Sequence, residues 1–206
     1  MPLPNVHLIT DREICPDPVS AARVALAGLA PGTVAVHLRE KGLGGRELLA
    51  LARTLGEAVH ELGQLVLVND RVDVALAAEA DGVHLPSAGV SAGDARRLLG
   101  SDRLIGVSCH GTEDVRSARD AGADYATFGP VFDTPSKRRY GAPVGLAALR
   151  DAGALGLPLV GLGGIDLSNA ADVIAAGARG IAVIRAWLAA ADASAAVRAL
   201  VGAARG

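Results

Sequence analysis

Hydroxyl and cationic side chains crowd the stretch that follows a short apolar segment in the second half of the chain. The apolar segment is Tyr125–Gly129, and Thr134, Ser136 and Lys137 come soon after it, with two arginines directly behind. In parallel α/β proteins, ligands bind beyond the C-terminal ends of the strands, and hydroxyls with cations suit a phosphate group. This spacing predicts a loop that binds a phosphorylated ligand. A solvated basic turn is the alternative.

Charged side chains also alternate along an apolar segment nearer the start of the chain. His37, Arg39 and Lys41 are each two residues apart, so a strand would present them on one face. In a barrel we expect this face to be the interior, with these residues at its C-terminal mouth. An arginine that points inward requires an anion or an acid beside it. We therefore predict ligand binding here, and a structural pair with Glu40 or Asp11 is the alternative.

Two oxygen-bearing side chains end a third apolar segment. Asn69 and Asp70 directly follow the residues LVLV. Their oxygens could bind amide groups of a ligand, or an ion such as Mg²⁺. They could equally cap the helix that is predicted to begin at Arg71, because aspartate is a common N-cap residue. The sequence leaves both interpretations open.

A glycine cluster, GLGGI, occupies residues 161–165. Gly163 and Gly164 would let the backbone approach an anion, and the loops after the seventh and eighth strands of a barrel commonly bind phosphate. The dinucleotide fingerprint is not matched, since no acidic residue stands at the required distance. We predict phosphate contacts from this backbone.

His110 follows the apolar segment Leu104–Ser108. A histidine at a strand end can transfer protons near neutral pH, and a rim histidine bonded to the backbone is the alternative. The neighbouring Cys109 has no cation beside it in sequence, so we interpret it as a packing residue. The histidines lack the spacing of metal ligands, and no metal site is predicted from them.

Short apolar segments alternate with helical patterns along the whole chain. Residues 47–61 and 169–176 repeat apolar side chains at helical spacing. Such alternation predicts a parallel sheet buried on both faces, and eight units predict a single (β/α)8 TIM-barrel domain over residues 1–206. An open doubly wound sheet is the alternative. The predicted strands are near Val6–Thr10, Val34–Arg39, Leu65–Asn69, Gly82–Leu85, Leu104–Ser108, Tyr125–Gly129, Leu159–Gly163 and Ile181–Arg185.

The composition argues against several classes of partner. A net charge of −2 and a pI near 6.2 give no basic surface for nucleic acid. No uninterrupted apolar stretch reaches the length of about 18 residues that a membrane span needs, and the start MPLPNVHLITD lacks the pattern of a secretory signal. We expect a cytoplasmic protein with no nucleic-acid or membrane partner. The sequence leaves open whether it forms a homo-oligomer.

Several phrases, in this order and spacing, resemble the thiamine phosphate synthase/TenI superfamily along nearly the whole chain. The resemblance implies a (β/α)8 barrel, in agreement with the pattern of strands and helices. The matching phrases are HLITDRE (7–13), VHLREKG (36–42), LVNDRVDVAL (67–76), ADGVHL (80–85), GVSCH (106–110), GADYATFGPVFDTPSK (122–137), GLGGI (161–165) and GIAVI (180–184).

The superfamily contains two similar kinds of enzyme. Thiamine phosphate synthase joins a pyrimidine pyrophosphate to a thiazole phosphate with Mg²⁺ and releases pyrophosphate. TenI-type thiazole tautomerase moves a proton on a carboxylated thiazole phosphate without metal. In a synthase, the resemblance implies that the pyrimidine pyrophosphate is held by Arg39, Lys41, Asn69 and Lys137, with Asp70 on Mg²⁺. In both enzymes, it implies that the thiazole phosphate is held by Thr134, Ser136 and Gly164.

Departures from the synthase pattern favour the tautomerase. His37 stands where synthases have Gln, and Gly89 stands where they usually have an Asp that is the second Mg²⁺ ligand. Arg185 replaces a frequent Ser, and it could bind phosphate as a charge or fill the site. Against the tautomerase, Asn69 and Asp70 are kept as in a synthase, and so is the lysine of the LREK phrase.

We therefore expect a TenI-type thiazole tautomerase, with no cofactor, that acts on a small phosphorylated thiazole. By resemblance, His110 would shuttle the proton. One alternative is a Mg²⁺-dependent thiamine phosphate synthase. The other is a non-catalytic regulator that binds thiazole phosphate or thiamine phosphate in the barrel mouth.

Overall fold

The computed structural model describes residues 2–134 and 142–205. Within these residues, eight parallel strands pair in chain order and close into a barrel, which confirms the predicted (β/α)8 fold. Each strand lies close to its predicted segment. The strands are β1 Val6–Ile9, β2 Val34–Leu38, β3 Leu65–Asn69, β4 Gly82–Leu85, β5 Leu104–Cys109, β6 Tyr125–Phe128, β7 Leu159–Leu162 and β8 Gly180–Val183.

Helices surround the barrel, and local signals set where several of them begin. Pro18 occupies the first turn of α1, and the Asp17 carboxylate accepts the Ser20 N–H at 3.1 Å. The described helices are α1 Pro18–Leu26, α2 Gly45–His60, α3 Val72–Ala77, α4 Ala92–Leu99, α5 Thr112–Asp120, α6 Gly145–Gly153, α7 Ala170–Ala175, α8 Arg185–Leu188 and α9 Ala193–Ala203. In the described part of the chain, none of them combines the length and the apolar character needed to cross a membrane.

The strands place alternate side chains on the outer and the inner face of the barrel. In β2, Val34, Val36 and Leu38 belong to the large core that lies between the strands and the helices. Ala35 faces the other way and belongs to a small cluster inside the barrel. This alternation follows from the two-residue period of a strand. Because helices cover the outer face, polar side chains of the strands collect inside the barrel and at its mouth.

Buried histidines fill part of the barrel interior. The Nε2 atom of His7 lies 3.1 Å from the Pro4 carbonyl oxygen, and its Nδ1 atom lies 2.7 Å from Nε2 of His37. A carbonyl oxygen only accepts, so His7 donates through Nε2–H, and its Nδ1 atom accepts from His37. Burial lowers the pKa of His7 to about 4 and the pKa of His37 well below its usual value.

The position of His37 corrects one expectation. His37 does face the barrel interior, but only 1% of its surface is exposed. It therefore lies beneath the mouth and not at it, and one of its ring nitrogens already bonds His7. The physical reason is that β2 continues to the buried Leu38, and the chain reaches the mouth only after that residue. Arg39 is the first residue of this face that is partly exposed.

Candidate active site

A cavity of about 150 Å³ opens at the C-terminal mouth, beside the ends of β2 and β3. It brings together Lys41, Asn69 and Asp70, the candidate ligand-binding residues that follow or end two different strands. Its lining consists of Glu40, Lys41, Leu43, Leu48, Asn69, Asp70 and Arg71. A cation, an amide and a carboxylate around one cavity can together bind a polyanion and an associated metal ion.

Asp70 is held in an unusual backbone conformation at this cavity. Its φ angle is 68°, in the left-handed region that few residues other than glycine adopt. The Asp70 N–H donates to the His84 carbonyl at 2.8 Å, and the Arg71 N–H donates to the Asn69 carbonyl at 2.8 Å. The cap of α3 is Arg71, so Asp70 does not serve as its N-cap. Such strain is typical of functional sites, where the surrounding structure holds it in place.

Arg39 lies half-buried where β2 ends, and its N–H donates to the Thr10 hydroxyl at 3.0 Å. The Glu40 carboxylate accepts from that same hydroxyl at 2.6 Å and from the Arg12 N–H at 3.3 Å. Among the described residues, neither Glu40 nor Asp11 forms a salt bridge with Arg39. The described residues therefore do not form the structural ion pair that was the alternative for Arg39. Its guanidinium remains available to an anion.

Gly163 and Gly164 lie at the opposite side of the mouth, after β7. Their φ angles are 100° and 65°. A Cβ atom on Gly163 would lie 2.6 Å from Cα of Pro130, and one on Gly164 would lie 2.7 Å from the Asp133 carbonyl oxygen. Only glycine fits so close to the loop after β6. The Phe132 N–H donates to the Gly163 carbonyl at 3.0 Å, which ties the two loops together.

The remaining residues predicted to bind phosphate are only partly described. Thr134 is half-buried and follows the segment that packs on the glycines. Ser136 and Lys137 lie outside the described residues. Arg185 begins α8 directly beyond β8 and is exposed. In the described part of the chain, Gly163 and Gly164 thus lie against Phe132 and Asp133, the residues that directly precede Thr134.

His110 is held by the backbone at the end of β5. Its Nδ1 atom lies 2.6 Å from the Gly129 carbonyl oxygen, so Nδ1 carries the proton and donates it. Its own N–H and that of Gly111 donate to Asp114 at 2.8 and 3.1 Å. The ring is exposed, and among the described residues its Nε2 atom has no partner. This nitrogen can accept a proton, which fits both a rim histidine and a general base.

A family model described as thiamine monophosphate synthase matches residues 6–187, most of the chain and most of the mouth just described. The chain belongs to the thiamine phosphate synthase/TenI superfamily. A thiamine-phosphate synthase of Moorella thermoacetica is 48% identical over 179 residues, which cover 86% of this chain and 84% of that protein. A thiamine-phosphate synthase of a Roseiflexus species is 43% identical over 196 residues, which cover 95% of this chain and 83% of that protein.

A solved structure agrees with the superfamily assignment. Thiamine phosphate pyrophosphorylase from Pyrococcus furiosus superposes with a TM-score of 0.86 and 34% sequence identity. The superposition covers 98% of this chain and 95% of that one. The barrel is thus shared over its full length with a protein of the superfamily.

Gly89, where the superfamily resemblance implies an acid in synthases, lies in a turn after β4. The Gly89 N–H donates to the Pro86 carbonyl at 3.0 Å and closes a turn. A Cβ atom on Gly89 would lie 2.8 Å from Cγ of the Pro86 ring. The turn therefore excludes a larger residue as it stands, and this side of the mouth offers no acid at that position.

The donor set suits a Mg²⁺ ion only if it arrives with a phosphorylated substrate. No group of three or more His, Cys, Asp or Glu in the described residues could hold a metal by itself. Asp70, in its strained conformation, and Asn69 supply oxygens at the cavity. Mg²⁺ is commonly bound by one or two carboxylates together with substrate phosphates. One carboxylate is within that range, so the residues fit the ion in this form.

One polar group at the base of the mouth is not among the residues predicted from the sequence. Ser108 is half-buried on β5, and its Oγ atom lies 3.0 Å from Nε2 of His84. The signal was the period of two: Ser108 shares a face with Gly106 and precedes His110 by two residues. The interpretation of Cys109 as a packing residue agrees with its burial in the core, which raises the pKa of its thiol to about 12.

Proposed function

We propose that this chain is a thiamine phosphate synthase, which joins a pyrimidine pyrophosphate to a thiazole phosphate and releases pyrophosphate. The observation that carries the proposal is the cavity shared by Lys41, Asn69 and Asp70. A tautomerase that works without metal has no need of a strained aspartate beside a lysine and an amide. Relatives named thiamine-phosphate synthase at 43 to 48% identity support the same activity. This reverses the order of our two expectations from the sequence.

In this proposal, the polar side of the mouth stabilises the leaving group. Negative charge develops on the pyrophosphate as its bond to the pyrimidine methylene carbon breaks. Arg39 and Lys41, which have no acidic partner among the described residues, would bind that charge where it forms. Mg²⁺, held by Asp70 and the phosphate oxygens, would supply further positive charge. Gly163 and Gly164 would hold the thiazole phosphate across the mouth through the backbone.

The tautomerase remains a second candidate because of two observations. The His110 ring has a fixed tautomer, with Nδ1–H on the Gly129 carbonyl and Nε2 facing no described partner. The end of β4 carries Gly89 in a closed turn where a second acid would stand. In this candidate, His110 would transfer the proton as a general acid–base group.

Two variants, each tested in two assays, separate the candidates. Asp70→Asn and His110→Ala are assayed for condensation of the two substrates and for aromatisation of the carboxylated thiazole phosphate. For a synthase, we expect condensation by the wild type and its loss in Asp70→Asn. No condensation by the wild type, together with an aromatisation that His110→Ala removes and Asp70→Asn leaves intact, would refute the synthase and favour the tautomerase.

A further inference from the structure

A buried hydrogen-bonded group joins three neighbouring strands directly beneath the mouth. Nδ1 of His84 on β4 lies 3.1 Å from the Tyr125 hydroxyl on β6. Nε2 of His84 lies 3.0 Å from Oγ of Ser108 on β5 and 3.2 Å from Oγ1 of Thr127. His84 is 5% exposed and Tyr125 is fully buried, whereas Ser108 is half-buried and reaches the mouth. The group therefore connects the barrel interior with the site.

The sequence makes room for this arrangement at one position. A Cβ atom on Gly106 would overlap the ring and hydroxyl of Tyr125. The Tyr125 ring, which is carried by β6, thus occupies space on the neighbouring strand β5 that is open only because residue 106 is a glycine. The close approach directs the phenol hydroxyl toward His84 rather than toward solvent. Gly106 and Tyr125 together place a donor against the imidazole.

The charge states of the group restrict where its protons lie. Burial lowers the pKa of His84 to about 3 and raises the pKa of Tyr125 well above its usual value. Near neutral pH the imidazole is therefore uncharged, with one donor and one acceptor nitrogen, and the phenol keeps its proton. The phenol is more acidic than either aliphatic hydroxyl and is the stronger donor. When the phenol donates to Nδ1, the remaining imidazole proton lies on Nε2.

We propose that the Tyr125–His84 pair is a positioning device, in which His84 Nε2–H donates to the Ser108 oxygen and directs the Ser108 O–H toward the ligand in the mouth. Ser108 would then be a fixed donor for an acceptor atom of the ligand, such as a ring nitrogen or a phosphate oxygen. The nature of the ligand rests on the proposed function. The hydrogen-bond arrangement does not.

Nuclear magnetic resonance tests the arrangement without any catalysis. The chain has only five histidines, so a long-range ¹H–¹⁵N correlation spectrum can be assigned by single substitutions. We expect His84 as the Nε2–H tautomer in the wild type, and a changed tautomer balance in Tyr125→Phe, which removes one oxygen and keeps the ring. An Nδ1–H tautomer of His84 in the wild type would overturn the proposal, because Ser108 would then donate to His84 instead.

Kinetics tests the consequence through a double-mutant cycle. In the condensation assay, we expect Tyr125→Phe to raise the KM for one of the two substrates about fivefold, with kcat and the other KM little changed. The rise should vanish in a Ser108→Ala background, because the hydroxyl that the pair positions is gone. Ile105→Val, which removes one methyl group from the core on the helix-facing side of β5, is the control and should leave both KM values unchanged.

A rise in KM that persists in the Ser108→Ala background would refute the positioning role of the pair. A rise equalled by Ile105→Val would refute it too, because it would show a general loss of packing. If the wild type shows no condensation but NMR finds the Nε2–H tautomer of His84, only the proposed function is refuted. The two failures are thus distinguishable.

Discussion

Polar side chains in the interior of the barrel and at its mouth differ in whether they have bonding partners within the protein. Inside, each histidine of the His7–His37 pair bonds the other, and the described buried side-chain nitrogen and oxygen atoms all have partners. At the mouth, Arg39 has no acidic partner among the described residues, and Asp70 has a strained backbone. The interior groups satisfy one another, whereas the Arg39 guanidinium at the mouth remains available to an anion. We infer that stability and function depend on different layers of the same strands.

This difference indicates where substitutions should act. A change at the mouth should alter activity with little loss of stability, since the affected groups contribute few internal bonds. A change of charge in the interior should alter stability first, because a buried polar group that loses its partner is costly. The His84–Tyr125–Ser108 group is the place where the two layers meet.

The largest expected effect is at Asp70. Asp70→Asn keeps a side chain that tolerates the left-handed backbone and removes the charge. We expect kcat/KM for Mg²⁺-dependent condensation to fall about 1,000-fold, because the ion loses its carboxylate ligand. Thermal unfolding should be unchanged within a degree or two. Full activity in this variant, or a large loss of stability, would contradict the view that residues at the mouth serve activity and those of the interior serve stability.

Low pH should lower the free energy of unfolding through the buried histidines of the interior. In the folded chain the pKa of His7 is about 4 and that of His84 about 3, against an ordinary 6.5. Between these values and pH 6.5 the unfolded chain binds more protons, so stability is complete above pH 6.5 and falls as the pH decreases toward 4. We expect a loss of about 3 kcal/mol from His7 alone, roughly 100-fold in the folding equilibrium. Urea unfolding at pH 7 and pH 4.5 measures it, and a flat profile would contradict the account.

Arg39→Lys should have a smaller effect on the mouth. Lysine keeps the charge but lacks the planar fork that binds phosphate oxygens in pairs. We expect KM for the pyrimidine pyrophosphate to rise about tenfold without a change in melting temperature. Arg23→Lys is the matched control, because Arg23 bonds Glu61 on the surface. Equal effects from both variants would indicate that the loss is not specific to the mouth.

The smallest expected effect concerns Gly89, where the superfamily resemblance implies an acid in synthases. Gly89→Asp alone should bring no gain, since its Cβ atom would meet the Pro86 ring at 2.8 Å. With Pro86→Gly as well, the turn can open, and we expect about fivefold less Mg²⁺ to be needed for half-maximal rate. Titration of the rate with Mg²⁺ compares the single and double variants. An equal gain in both would show that the Pro86 ring does not restrict this position.

The strands were predictable because each is a short apolar segment with its own boundaries. Likewise, the grouping of Lys41 with Asn69 and Asp70 followed from the rule that parallel strands end at one mouth. The depth of His37 was not predictable, since a period of two gives the face of a residue but not its height in the barrel. The contact of Tyr125 with His84 was also not predictable from the sequence, because it depends on the space that Gly106 leaves on the neighbouring strand.

The central claim is that the mouth catalyses condensation with Mg²⁺. The most direct test incubates the wild-type chain with pyrimidine pyrophosphate and thiazole phosphate, with Mg²⁺ or with a chelator, and measures thiamine phosphate as fluorescent thiochrome. We expect sustained turnover with Mg²⁺ and almost none with the chelator, despite the single carboxylate at Asp70. No product from folded protein that still binds thiazole phosphate would contradict the claim and favour the tautomerase.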